Sequence, residues 1–183
     1  MNNNHTVTLF QANRTLLHTQ DIAVLFNISN KNTLYTTIKR YVQRGILHPV
    51  YKGLYSTTNL SQINPWLLGL SALHTFGYVS CESILAPAGF MNHVPHAITL
   101  MSSSSKQFSV GSHVYRARQL QDRFLFHPFG VTMQNGIRQA NVERAIADVL
   151  YVHPTVHFDA PIDWSIVRKT QKEIGYPITD RTL

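Results

Sequence analysis

The sequence predicts an α+β fold: an N-terminal winged helix-turn-helix over residues 1–59, then a mixed α/β domain over residues 60–183. Three observations predict it. Residues 18–56 read as helix, tight turn, helix and hairpin. Positive charge concentrates in that same segment. Beyond residue 60, helical and alternating patterns mix without an internal repeat.

The elements follow in order. "HTQDIAVLF" (18–26) offers Thr19 as an N-cap, Asp21 in a first turn that favours carboxylates, and Ile22, Leu25 and Phe26 at helical spacing. "NISN" (27–30) is a polar turn in which Ser29 or Asn30 caps what comes next. The second helix runs from Lys31 to Arg44, with Leu34, Ile38, Tyr41 and Val42 as its inward stripe and Gly45 as its stop. "ILHPVY" and "LYST" then pair as a hairpin turning at Lys52-Gly53.

A linker at 57–64 leads to Pro65, which opens a helix in "PWLLGLSALHTF". A short helix lies within "SCESILAPAGF". "HAITLMS" (96–102) and "FSVGSHVYRARQL" (108–120) read as strands on either side of the flexible "SSSSK" loop, and "RFLFHPFGVTM" adds strand character. "ANVERAIADVLYV" (140–152) predicts a helix with Val142, Ile146, Val149 and Leu150 on one face. "DWSIVRKTQKEIGY" spaces Trp164, Val167 and Ile174 as a final helix.

Charge sharpens this reading. The net charge is +7, which favours acidic partners such as nucleic acid. Residues 1–56 hold six cations (Arg14, Lys31, Lys39, Arg40, Arg44, Lys52) against Asp21 alone. With Leu34, Ile38 and Tyr41 inward, 100° per residue puts Asn32, Thr36, Lys39, Arg40 and Gln43 on the opposite face, with Thr33 beside them and Arg44 at the end. Amides and hydroxyls read base edges, and Lys and Arg reach phosphates or guanine. The hairpin is then a wing, with Lys52 at its tip beside flanking phosphates. The competing reading makes the same face a protein-docking surface.

From Gly53 to Tyr115 only Glu82 and Lys106 are charged. Two readings stand: a neutral polar surface, or one covered by another chain, where charge is depleted.

Several classes are disfavoured. At 183 residues the chain buries roughly 70% of its unfolded surface without a staple. One cysteine, Cys81, forbids an internal disulfide and fits a reducing compartment. The start lacks a secretory signal and no apolar run suits a membrane span, which predicts a soluble, cytoplasmic protein with no membrane partner. No metal or cofactor is expected. Pro154 interrupts the His153–His157 spacing, and His93 and His96 flank Pro95 without a nearby cysteine or carboxylate cluster. Glu82, Asp122, Glu143 and Asp148 are too scattered for a nuclease centre. Asp148 suits a surface pair with Arg144, worth a few tenths of a kcal/mol if exposed. Ser80-Cys81-Glu82 has neither a glycine elbow nor a partnered histidine. The expectation is a protein that is not an enzyme.

The succession "TQDIAVLF…TLYTTIKRYVQRGILHPVYKGLYS", "GYVSCESILAPAGF" and "IRQANVERAIADVLY" resembles the AbiEi-type antitoxins of type IV toxin–antitoxin (abortive-infection) systems, from about His18 to Val152. The resemblance implies a transcriptional autorepressor that binds inverted repeats of double-stranded DNA in its own promoter as two copies. It implies that the second domain counters a nucleotidyltransferase-type toxin encoded nearby. It also implies DNA-reading roles for Asn32, Thr33, Thr36, Lys39 and Arg40, with Lys52 on the wing. The tail from His153 to Leu183 lies outside it. A stand-alone winged-helix regulator without antitoxin activity shares this pattern.

Overall fold

The computed structural model describes residues 3–92 and 95–180. The protein is α+β and divides into two compact units, Met1–Ala72 and Leu73–Leu183. Residues 60–64 of the linker and the Pro65 helix, expected in the second domain, fall in the first unit.

In the first unit, α1 (Asn3–Gln11) precedes a short strand β1 (Leu16–His18), neither of which the sequence announced. Then come α2 (Thr19–Phe26), α3 (Lys31–Gln43), β2 (His48–Tyr51) and β3 (Leu54–Ser56). The N-cap of α2 is His18, one residue before the expected Thr19, and Asp21 Oδ2 accepts from the His18 N–H at 2.8 Å. Thr19 instead donates from its backbone N–H to the Gly53 carbonyl at 2.8 Å, which ties the hairpin turn to the start of α2. β3 is the middle strand, antiparallel to both β1 and β2. Pro49, lacking an N–H, sits on the edge strand β2. The core gathers Leu9, Leu17, Ile22, Phe26, Leu34, Ile38, Tyr41 and Leu47. A 3-10 turn (Leu60–Gln62) and α4 (Pro65–Ala72) complete the unit.

The second unit is built on a six-stranded mixed sheet. Its strands are β4 (Gly77–Val79), β5 (Ile98–Ser102), β6 (Lys106–Val110), β7 (His113–Gln119), β8 (Val131–Gln134) and β9 (Ile137–Ala140). They run in the order β6-β7-β5-β4-β9-β8, with β5–β7 and β4–β9 parallel and the other pairs antiparallel. The helices are α5 (Glu82–Leu85), α6 (Asp122–Leu125), α7 (Val142–Val152) and α8 (Trp164–Ile174). Residues 144–150 of α7 are all buried, so this helix is the centre of the unit, packed by α5 and α8, and not a surface helix with one wet face.

Two readings change. Arg123–Leu125 of "RFLF" belong to α6 and not to a strand, because Phe124 and Leu125 turn into the core and Gly130, at φ +74°, separates them from β8. Burial accounts for part of the charge-poor stretch, whose exposed positions are uncharged and mostly polar. β4 and β5 are interior strands whose Tyr78, Val79, Leu100 and Met101 are fully buried, where ionised side chains would be costly.

Candidate nucleic-acid interface

Helix α3 is positioned by its ends and by its inward stripe. Asn30 caps it, Oδ1 accepting from the Thr33 N–H at 3.0 Å, and Gly45 leaves it at φ +67°. Leu34, Ile38 and Tyr41 are buried, and Val42 is partly buried. On the other side Asn32, Thr33, Thr36, Lys39, Arg40, Gln43 and Arg44 are all exposed, as is Lys52 at the hairpin tip. These seven positions therefore share one exposed strip that runs from the first turn of α3 to its C-cap. The hairpin carrying Lys52 is held by Thr19, whose hydroxyl also donates to the Gly53 carbonyl at 3.1 Å.

These side chains differ in how free they are. Thr33 Oγ1 lies 3.3 Å from the Asn30 cap oxygen and donates to it, so its hydroxyl is part of the helix start. Arg44 spreads over the Tyr41 ring at 5.8 Å, and the Lys52 ammonium lies 5.7 Å from the Tyr51 ring. Among the described residues, Lys31, Lys39, Arg40, Arg44 and Lys52 form no ion pair; the first unit's one pair joins Arg14 to Asp21 at 3.4 Å. Five cations thus stand on one unit without an acidic partner. Sequence reasoning left out Tyr35, which is half exposed on the same helix three residues from Asn32. A wheel places it 100° from Leu34, at the margin of the outward face, and that margin was its only signal.

The second unit spends much of its basic charge internally. Arg118 pairs with Glu82 at 2.5 Å, and Arg138 Nε donates to the Gly77 carbonyl at 3.2 Å while lying over the Phe76 ring. The largest departure from expectation is Arg144 and Asp148, which are fully buried. Arg144 donates to Asp148 Oδ1 (2.9 Å), to the Tyr78 hydroxyl (2.6 Å) and to the carbonyls of Phe124, His127 and Phe129. Asp148 also accepts from the hydroxyls of Tyr78, Ser80 and Tyr176 at 3.0, 2.7 and 2.7 Å. Burial, then the Asp148 carboxylate, pushes the Tyr78 and Tyr176 phenols far above their ordinary range. Burial opposes the charge of Arg144, but Asp148 beside it more than compensates and holds it ionised. This cluster ties α7 to β4, α6 and the segment after α8.

Cys81 shows a feature the sequence hid. It stands between β4 and α5 with φ +54° and ψ −133°, a conformation rare outside glycine and costing on the order of 1–3 kcal/mol. A strand–strained residue–helix corner can display a nucleophile. Here the thiol is fully buried, 3.8 Å from Met101 Sδ, and burial followed by the nearby Asp148 pushes it well up. Among the described residues no three His, Cys, Asp or Glu side chains gather as a metal site would need. His153 caps the end of α7 and His157 lies in the loop beyond it, so they share no helical face. His93 lies outside the described residues. Among the described residues no helix is long and apolar enough to cross a membrane.

No family model and no curated protein sequence matches this chain. Among the solved structures it resembles is the crystal structure of the RV2827C protein from Mycobacterium tuberculosis. The TM-score is 0.55 at 11% identity, covering 94% of this chain and 70% of that one. At that identity the likeness speaks for the fold alone.

Proposed function

We propose that the chain is a DNA-binding transcriptional repressor whose first unit is a winged helix-turn-helix. In this reading α2 and α3 form the helix-turn-helix, α3 enters a major groove, and the β2–β3 hairpin is the wing. The observation that carries it is the exposed strip of α3: Asn32, Thr36 and Gln43, placed to read bases, interleave with Lys39 and Arg40, and among the described residues no acidic side chain pairs with either cation. Bound as two copies on an inverted repeat, the protein would occlude a promoter, and it is an autorepressor if that promoter is its own. No catalytic step is assigned to it.

The resemblance to AbiEi-type antitoxins extends the reading to a second activity, countering a nucleotidyltransferase-type toxin through the second unit. That unit exposes Phe126, Phe129 and Met133, the kind of surface on which a protein partner gains most.

The test is a fluorescence-anisotropy titration against the DNA upstream of the chain's own gene, beside scrambled DNA, at two salt concentrations. Contact by Lys31, Lys39, Arg40, Arg44 and Lys52 predicts that log affinity falls with log salt at a slope of about −4 to −5. Preference for the upstream DNA with such a slope supports the repressor. A slope near zero, or no preference, leaves the face as a protein-docking surface.

A further inference from the structure

We infer that the first unit carries a binding site for a small organic anion with an apolar, ring-bearing body. A cleft of about 570 Å³ lies between α1, α2 and α3, a size usual for small-molecule sites. Phe26, Ile28 and Tyr41 supply its apolar wall, with the Phe26 and Tyr41 rings 5.3 Å apart. Arg40 and Arg44 stand at its rim. From α1, His5 meets Phe26 edge-on at 4.3 Å, and its Nδ1 is buried without a hydrogen-bond partner.

The composition of the cleft selects the class of occupant. Among the described residues no acidic side chain lines it, and the nearest carboxylate in sequence, Asp21, is engaged by Arg14. Two guanidiniums without a countercharge repel a cation, and an uncharged hydrocarbon leaves both unmatched. A carboxylate on an aromatic or alicyclic frame answers both halves: the charge goes to the fork of Arg40 or Arg44, and the ring goes against Phe26 and Tyr41. Arg40, Arg44, Gln43 and Thr33 belong both to this cleft and to the outward strip of α3. An occupied cleft therefore competes with a phosphate backbone for the same guanidiniums. The competition rests on the DNA-binding reading; the cleft does not.

The probe is 2-naphthoate, titrated into the full chain without DNA while backbone amide shifts are followed by NMR. The expected result is saturable binding in the millimolar range or tighter, with shifts concentrated around Phe26–Ile28, Thr37–Arg44 and His5. The Arg40→Gln/Arg44→Gln double variant, changed only at exposed positions, and the neutral analogue 2-naphthamide should each bind roughly tenfold more weakly or worse. Absence of saturation, shifts lying elsewhere, or equal binding of 2-naphthamide overturns the proposal. A second titration adds 2-naphthoate to the protein–DNA complex. Release of DNA supports the shared use of Arg40 and Arg44, and binding without release refutes it. A chain that binds no DNA at all sinks the repressor reading while the first titration still decides the cleft.

Discussion

Replacing Arg144 with methionine removes a guanidinium but keeps an unbranched apolar side chain in the space. Five hydrogen bonds go with it. Asp148 keeps three hydroxyl donors, from Tyr78, Ser80 and Tyr176, but loses its only countercharge. The carbonyls of Phe124, His127 and Phe129 lose the donor that gathers them. Breaking a buried ion pair from one side costs about 3–5 kcal/mol, whereas an exposed i,i+4 pair is worth only about 0.2–0.5 kcal/mol. Both groups are fully buried, so the expected loss is about 4 kcal/mol, a large share of the 5–15 kcal/mol typical of a domain. Trp66 lies in the first unit and Trp164 in the second, so urea unfolding followed by Trp164 fluorescence in a Trp66→Phe background reads the second unit alone. Arg144→Met/Asp148→Leu should lose about 1–3 kcal/mol less than the sum of its single variants, since neither charge is left stranded. A single-variant loss under about 1 kcal/mol, or strict additivity, would refute the reasoning.

Three further outcomes are expected. Gly130→Ala places a Cβ 2.7 Å from Arg144 Cβ and 2.9 Å from Asn141 Oδ1 at φ +74°, so thermal melting should show a loss of several kcal/mol. Gly136→Ala, at φ +78° in open space, should cost about 1 kcal/mol, and equal losses would dismiss the steric argument. Because the folded chain keeps Tyr78 and Tyr176 protonated far above a phenol's ordinary range, their contribution is complete below about pH 10. It declines as pH rises further, by about 1.4 kcal/mol per pH unit for each. Burial raises the Tyr115 phenol too, so urea midpoints at pH 8 and 11 read three such phenols, and Tyr176→Phe should remove about a third of the phenol-dependent slope. On DNA, Asn32→Ala or Thr36→Ala should relax sequence preference by about 1–3 kcal/mol, whereas Lys39→Ala should weaken every sequence alike. Anisotropy titrations against matched and mismatched sites separate the two, and identical behaviour would exclude base reading by α3.

Much of the first unit was legible in the sequence because its elements are local. The turn at Asn27–Asn30, the stripe Leu34, Ile38, Tyr41 and the Lys52-Gly53 turn are each written within a few residues. α1 was not, since "NNHTVTLFQ" carries neither cap signals nor a clear stripe, and its place depends on Leu9 joining a core made elsewhere. β1 was missed for the same reason: three residues become a strand only by pairing with β3, some forty positions along the chain. In the second unit the aromatic run before β8 misled, because short apolar runs suit a helix or a strand until packing decides.

Periodicity and charge alone determined the order of elements from α2 to β3 and which face of α3 meets solvent, since both depend on a side chain's angle around its own helix. The tertiary structure decided the rest. Arg144 and Asp148, four apart and read as a surface pair, became a buried network with Tyr78, Ser80 and Tyr176. Which cations are engaged, which strands are interior and where Phe26, Tyr41 and His5 enclose a cleft also depend on residues brought together from distant positions. A local pattern records the angle at which a side chain leaves its helix, and it carries no trace of the partner that arrives from elsewhere in the chain.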